Sequence, residues 1–160
     1  MKVSIIMGSI SDKAISDKVI KILKEFSIDY ELKIISAHRT PDLAADFAKN
    51  AEAKGTEVII AIAGKAAHLA GVIAGISPLP VIGVPAKSST MDGLDSLLSV
   101  VQMPKGVPVA TVAIDGGENA GLLAAQILSL KYPELRVKFK EYKKQMADEV
   151  VAMNDELEDR

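Results

Sequence analysis

Apolar runs of five or six residues alternate with stretches whose apolar positions recur every three or four residues. Val3 to Met7 is β-branched and apolar, the pattern of a buried first strand. Gly8-Ser9-Ile10-Ser11-Asp12 then turns into a helix through about Phe26, with Ile15, Val19, Ile20, Leu23 and Phe26 at helical spacing. Tyr30 to Ile35 reads as a second strand and Pro41 to Lys54 as a second helix, with Leu43, Ala44, Phe47 and Ala51 as its apolar positions. Thr40 is its expected N-cap, and Pro41 takes the first helical position, where a missing N–H costs nothing. Val58 to Ala63 is a third strand, continuously apolar as a strand covered on both faces would be. A small-residue helix from about Ala67 to Ile76 follows, then a strand over Pro80 to Val84. A long loop over Pro85 to Asp92 leads to a helix from Gly93 to about Val101. Pro108 to Ala113 is the fifth strand, and Glu118 to Leu130 an alanine- and leucine-rich helix.

Strands and helices alternating at this spacing imply a parallel sheet with helices on both faces, joined by right-handed crossovers. The expected fold is α/β: a three-layer αβα domain over residues 1–132 with a five-stranded sheet, flavodoxin-like or Rossmann-like. The tail, 133–160, is a helical extension on which Phe139, Tyr142, Met146, Val150, Met153 and Leu157 form an apolar stripe. That stripe packs either on its own domain or on a neighbouring subunit.

Composition narrows the function classes. The length of 160 residues suits one domain with a real core. A net charge of -2 and 4% aromatic residues leave neither a basic stripe nor a stacking platform, so nucleic acid is not an expected partner. The absence of cysteine excludes disulfides and thiolate chemistry and fits a cytoplasmic protein. The N-terminus runs into a strand rather than a signal peptide, and Lys65, His68, Pro78 and Pro80 interrupt the most apolar stretch, so no membrane span is expected. An apolar content of 49% points to surface covered by sister subunits, or to a sheet buried on both faces.

Candidate chemistry lies in the loops that follow strands, because parallel sheets bind ligands at their strands' carboxyl ends. After the first strand, Ser9 and Ser11 present hydroxyls and free N–H groups at a helix start, a phosphate cradle in form. Asp12 would repel a phosphate there and is better suited to accept from ribose hydroxyls. The loop has no Gly-Lys-Ser/Thr and no second glycine, so it is neither a P-loop nor a dinucleotide fingerprint; taken alone it is ordinary capping. After the second strand, Ser36, His38 and Arg39 crowd one turn. An imidazole titrates near neutrality, and a guanidinium grips phosphate or carboxylate with paired hydrogen bonds. After the third strand, Gly64, Ala66, His68 and Leu69 belong to a small-residue loop that lets backbone approach a ligand closely. Two histidines without an evident carboxylate companion make no case for a metal. Lys87 to Gly93 and Gln102 to Gly106 add polar groups of low individual specificity.

Taken together, these stretches resemble one family. Gly8-Ser9-x-Ser11-Asp12, Ser36-Ala-His-Arg-Thr-Pro41, Ala66-Ala-His-Leu69, Leu79-Pro-Val-Ile-Gly-Val-Pro85, Gly93-Leu-Asp-Ser-Leu-Leu-Ser99, Val101-Gln-Met-Pro104 and Asn119-Ala-Gly-Leu-Leu-Ala-Ala125 carry the likeness. It is similar to the carboxyaminoimidazole ribonucleotide mutases (phosphoribosylaminoimidazole carboxylase catalytic subunits) of de novo purine synthesis, over about Val3 to Tyr132. The resemblance implies a homo-octameric isomerase that moves a carboxylate from an exocyclic nitrogen to an imidazole ring carbon, with no metal, ATP, biotin or other cofactor. It implies His38 as acid/base, and Arg39, Ser9 and Ser11 as holders of the phosphate or carboxylate. It further implies Asp12 on the ribose, Ser36 positioning the substrate, and Gly64, Ala66, His68 and Leu69 walling a carbon dioxide pocket. Lys65 stands where the mutase branch usually has glycine, Ala70 where it has proline, and Ile62 where it has glycine. A branch that carboxylates aminoimidazole ribonucleotide directly resembles Gly-Arg-Ser-Asn at this loop, whereas this chain keeps Ala66-Ala67-His68-Leu69. Readings from other classes are a flavodoxin-type nucleotide-binding module and a response-regulator receiver. The receiver needs an aspartate closing the third strand, which here ends Ala61-Ile62-Ala63.

Overall fold

The structure, a computed structural model, describes residues 1–158; the last two residues of the expected tail lie outside them. Strands β1 (Lys2–Met7), β2 (Asp29–Ile34), β3 (Val58–Gly64), β4 (Val81–Ala86) and β5 (Ala110–Thr111) form one parallel sheet in the order β2-β1-β3-β4-β5. This order is flavodoxin-like and decides against the Rossmann alternative.

Both faces are covered, and the two-residue period of the strands sorts their side chains into two cores. Val3, Ile5, Met7, Val58, Ile60 and Ile62 face helices α1 (Lys13–Glu25), α5 (Gly117–Leu128) and α6 (Glu134–Glu158). Ile6, Ile59 and Ala61 face α2 (Pro41–Asn50), α3 (Leu69–Ala74) and α4 (Leu94–Val101). Ser4 is buried on β1, and its hydroxyl lies 2.7 Å from both Glu31 Oε1 and Thr56 Oγ1, so the strand's one polar interior side chain is satisfied.

The elements depart from the sequence expectation at several ends. A 3-10 turn at Ile10–Asp12 precedes α1. α2 stops at Asn50, and the following turns end at Gly55 with φ of 81°. α3 is short because Lys65 and Ala66 carbonyls accept from Ala67 and His68 N–H groups at 2.8 Å, turns that delay the helix start. β5 has two residues rather than six, and Pro108 brings no N–H to its ladder. Leu43, an expected apolar contact of α2, is instead exposed. Leu135, at the start of α6, is fully buried on the domain, and Phe139 and Tyr142 meet the Phe26 ring at 5.6 and 5.9 Å. Beyond them Met146, Val150, Met153 and Leu157 are exposed. No helix is long and apolar enough to cross a membrane among the described residues.

Candidate active site

A cavity of about 580 Å³ opens at the carboxyl ends of β1 to β4. It straddles the point between β1 and β3 where the strand order reverses, the place such sheets leave a crevice. All ten residues singled out in the sequence line it: Ser9, Ser11 and Asp12 after β1; Ser36, His38 and Arg39 after β2; Gly64, Ala66, His68 and Leu69 after β3.

The first loop is ordered by its own polar groups. Ser9 Oγ accepts the Ser11 N–H at 3.3 Å, and the Asp12 N–H donates to the Ser9 carbonyl at 3.2 Å. Asp12 is buried, and its carboxylate accepts from Ser11 Oγ at 3.3 Å. Burial raises the Asp12 carboxyl above its ordinary range, Asp115 adds to this, and the bonds from Ser11 and Ser9 oppose it. A ligand hydroxyl donating to Asp12 would restore part of the solvation that burial removes.

The second loop folds on Thr40, which stands at the N-cap of α2 without capping it through its side chain. Its hydroxyl accepts the Ser36 N–H at 3.0 Å and donates to the Ser36 carbonyl at 2.9 Å, with no bond to the N-terminal amides of α2. Thr40 therefore occupies the expected N-cap position, its carbonyl accepting the Ala44 N–H at 3.1 Å, but its hydroxyl closes the turn that presents the histidine instead of capping the helix amides. Ser36 Oγ accepts from the Arg39 N–H at 3.2 Å and from Arg39 Nε at 3.4 Å, while Arg39 Nη2 donates to the Gly8 carbonyl at 3.0 Å. Arg39 thus fastens the second loop to the first.

The third loop brings a second imidazole to the first. His38 Nε2 and His68 Nδ1 lie 2.9 Å apart, with ring centroids 5.0 Å apart and planes at 74°. A contact of this length carries one proton, so one ring donates and the other accepts; two imidazolium rings would lose it. Gly64, ending β3, lies where an added Cβ would sit 3.5 Å from the Ala86 Cβ, ordinary packing against β4. Lys65 adopts φ of 56°, the left-handed conformation natural to glycine.

Lys87, Ser88 and Ser89 have low individual specificity in the sequence, yet the loop after β4 carries them into the cavity. Their signal was only their place after a strand. Ser88 is buried and donates to Asp95 Oδ1 at 2.7 Å, and the Lys87 N–H donates to Asp115 Oδ1 at 2.8 Å. The Gln102 to Gly106 turn stays outside the cavity lining. Among the described residues no three of His, Asp and Glu gather as metal ligands.

Comparison with known proteins places this arrangement in context. Residues 2–149 match the model of a family described as AIR carboxylase. The N5-carboxyaminoimidazole ribonucleotide mutase of Thermotoga maritima is 60% identical over 157 residues, covering 98% of this chain and 92% of its own. That of Pyrococcus abyssi is 59% identical over 145 residues, covering 91% of this chain and 83% of its own. The crystal structure of Treponema denticola PurE superposes with a TM-score of 0.89 at 33% identity, covering 98% of each chain.

Proposed function

The chain belongs to the AIR carboxylase family, and on that premise we propose that it is an N5-carboxyaminoimidazole ribonucleotide mutase, an isomerase of purine biosynthesis, with His38 as general acid/base. The observation that supports this reading is the meeting of His38 and His68 at 2.9 Å inside a cavity bordered by the first loop's hydroxyls.

The ribonucleotide's phosphate lies on Ser9, Ser11 and the amides of the first loop, with Arg39 closing that end and Asp12 accepting from the ribose. Holding the phosphate far from the reacting carbon supplies orientation, a large part of what such a reaction needs. His38 in its protonated form gives a proton to the exocyclic nitrogen as the N–C bond of the carbamate breaks and carbon dioxide leaves. The ring carbon then forms a C–C bond to the carbon dioxide, and neutral His38 removes the hydrogen from that carbon, restoring the aromatic ring and its own starting state. His68 keeps the His38 ring oriented through their shared proton. Gly64, Ala66 and Leu69, small or apolar, wall the gas away from water that would hydrate it.

Residues 1–132 form the catalytic domain in this reading, and α6 (Glu134–Glu158) packs first on that domain and then on a neighbouring subunit. The protein works in the cytoplasm as a homo-octamer. Exposed Met91, Leu94, Leu98 and Val101 on and beside α4, and the open stripe of α6, are apolar surface that such an assembly would cover.

An ultraviolet assay of the purified protein with each ribonucleotide tests the reading. Wild type interconverts the two carboxylated isomers without bicarbonate. His38→Asn keeps its fold and ligand binding and loses turnover by about 10²-fold or more. Near-normal turnover in His38→Asn removes the histidine from the chemistry. Activity seen only with aminoimidazole ribonucleotide and bicarbonate assigns a direct carboxylase instead.

A further inference from the structure

Three cationic side chains, Arg39, Lys65 and Lys87, and one carboxylate, Asp12, line the cavity. Arg39 is engaged with the Gly8 carbonyl and Ser36 Oγ. The Lys87 ammonium lies 3.2 Å from Asp92 Oδ1. Neither Arg39 nor Lys65 has an ion pair among the described residues, but Arg39 is held by neutral acceptors, whereas the Lys65 ammonium has neither a hydrogen bond nor an ion pair among them.

Its backbone makes the residue more informative. Lys65 holds φ of 56°, where glycine would be unstrained, and the tight turn through its carbonyl leads within three residues to His68 and its contact with His38. The ammonium therefore rises from the loop that carries the histidine pair, not from the first loop, whose amides and hydroxyls suit a phosphate. An anion served from this loop is one close to the reacting atoms.

We propose that Lys65 is a specificity-determining residue, whose ammonium pairs with the substrate's migrating carboxylate and makes the site favour carboxylated ribonucleotides over decarboxylated aminoimidazole ribonucleotide. The inference rests on the mutase reading. A long flexible lysine loses entropy when fixed, so the pairing is felt most at low ionic strength and fades as salt screens it.

The test is calorimetric binding of 4-carboxy-5-aminoimidazole ribonucleotide and of aminoimidazole ribonucleotide to wild type, Lys65→Gly and Lys65→Arg. Each is measured at low and high salt, beside the ultraviolet assay. In Lys65→Gly the Kd for the carboxylated nucleotide rises about tenfold, the loss expected of one charge-assisted contact, while that for the decarboxylated one changes less than twofold. Lys65→Arg keeps the preference, and in Lys65→Gly the salt dependence of the carboxylated nucleotide falls to that of the decarboxylated one. A thermal midpoint in Lys65→Gly no lower than wild type shows that the loop still folds. Equal weakening of both nucleotides, or no change in either, overturns the inference. Wild type that interconverts neither carboxylated isomer overturns the mutase reading itself, and that result is separate from any effect at Lys65.

Discussion

Arg39 commits its donors to the protein before any ligand arrives: one to the Gly8 carbonyl at 3.0 Å and others to Ser36 Oγ. A planar fork can bridge two loops and still present an edge to an anion, and a single ammonium cannot. Arg39→Lys is accordingly expected to raise KM about tenfold, equivalent to about 1.4 kcal/mol of binding, with a smaller effect on kcat. Steady-state kinetics checks this, and an unchanged KM would remove Arg39 from the binding role. At this scale much of the site was legible, because serine, histidine and arginine just after apolar runs mark strand ends. What stayed hidden depended on distance. His68 reads from sequence as a wall residue, and its bond to His38 joins positions 30 residues apart. Thr40 looked like a cap because it precedes a Pro-initiated helix, yet its hydroxyl found nearer partners on Ser36.

Helices α1 and α5 pack through small residues, with close approaches at Gly117 and Gly121. A Cβ added at Gly121 would come within 2.8 Å of the Ile22 Cβ and 3.2 Å of the Val19 carbonyl oxygen, so backbone as well as side chain would have to move. Alanine gains about 1 kcal/mol in helix propensity over glycine, but overpacking a close core contact costs about 1–3 kcal/mol. Gly121→Ala is expected to be destabilised by about 1 kcal/mol, a fall in Tm of about 2–4 °C for a chain of this size. Differential scanning calorimetry checks it, and a higher Tm would show that the helices can separate at little cost. The alternation of elements was legible throughout, since continuous apolar runs with both faces buried admit few other readings. Boundaries failed where local turns or pairing decide them. α3 waits for the turns at Lys65 and Ala66, and β5 pairs over two residues despite an apolar neighbourhood.

Across the whole molecule, acid stability gathers on carboxylates that tie chain segments together. Burial would raise the Glu31 carboxyl, but hydrogen bonds from Ser4, Lys33 and Lys2 outweigh it and bring it down to about 2. Glu57 is lowered in the same direction: burial again opposes the shift, and bonds from Lys131 and Tyr132 prevail. A carboxyl whose pKa is depressed on folding stabilises the fold above its unfolded value and loses that contribution as pH falls towards the folded one. Wild type should therefore exceed Glu31→Gln in stability by a constant margin above pH 4.5, a margin that shrinks as pH drops towards about 2. Urea unfolding at a series of pH values measures it, and a margin independent of pH would mean that the charge of Glu31 contributes nothing. The strand order was not legible at this scale, because five strands alternating with helices suit two topologies equally. Only the pairing of β1 with both β2 and β3 separates them.

The two rims of the sheet are open to foreign strands to different degrees. β5 offers two residues of ladder, too brief a template for another chain to register against. β2 offers six, with Leu32 and Ile34 exposed, and Asp29, Glu31 and Lys33 supply its charges. Protection against edge-to-edge growth therefore resides in brevity on one rim and in three charged side chains of mixed sign on the other.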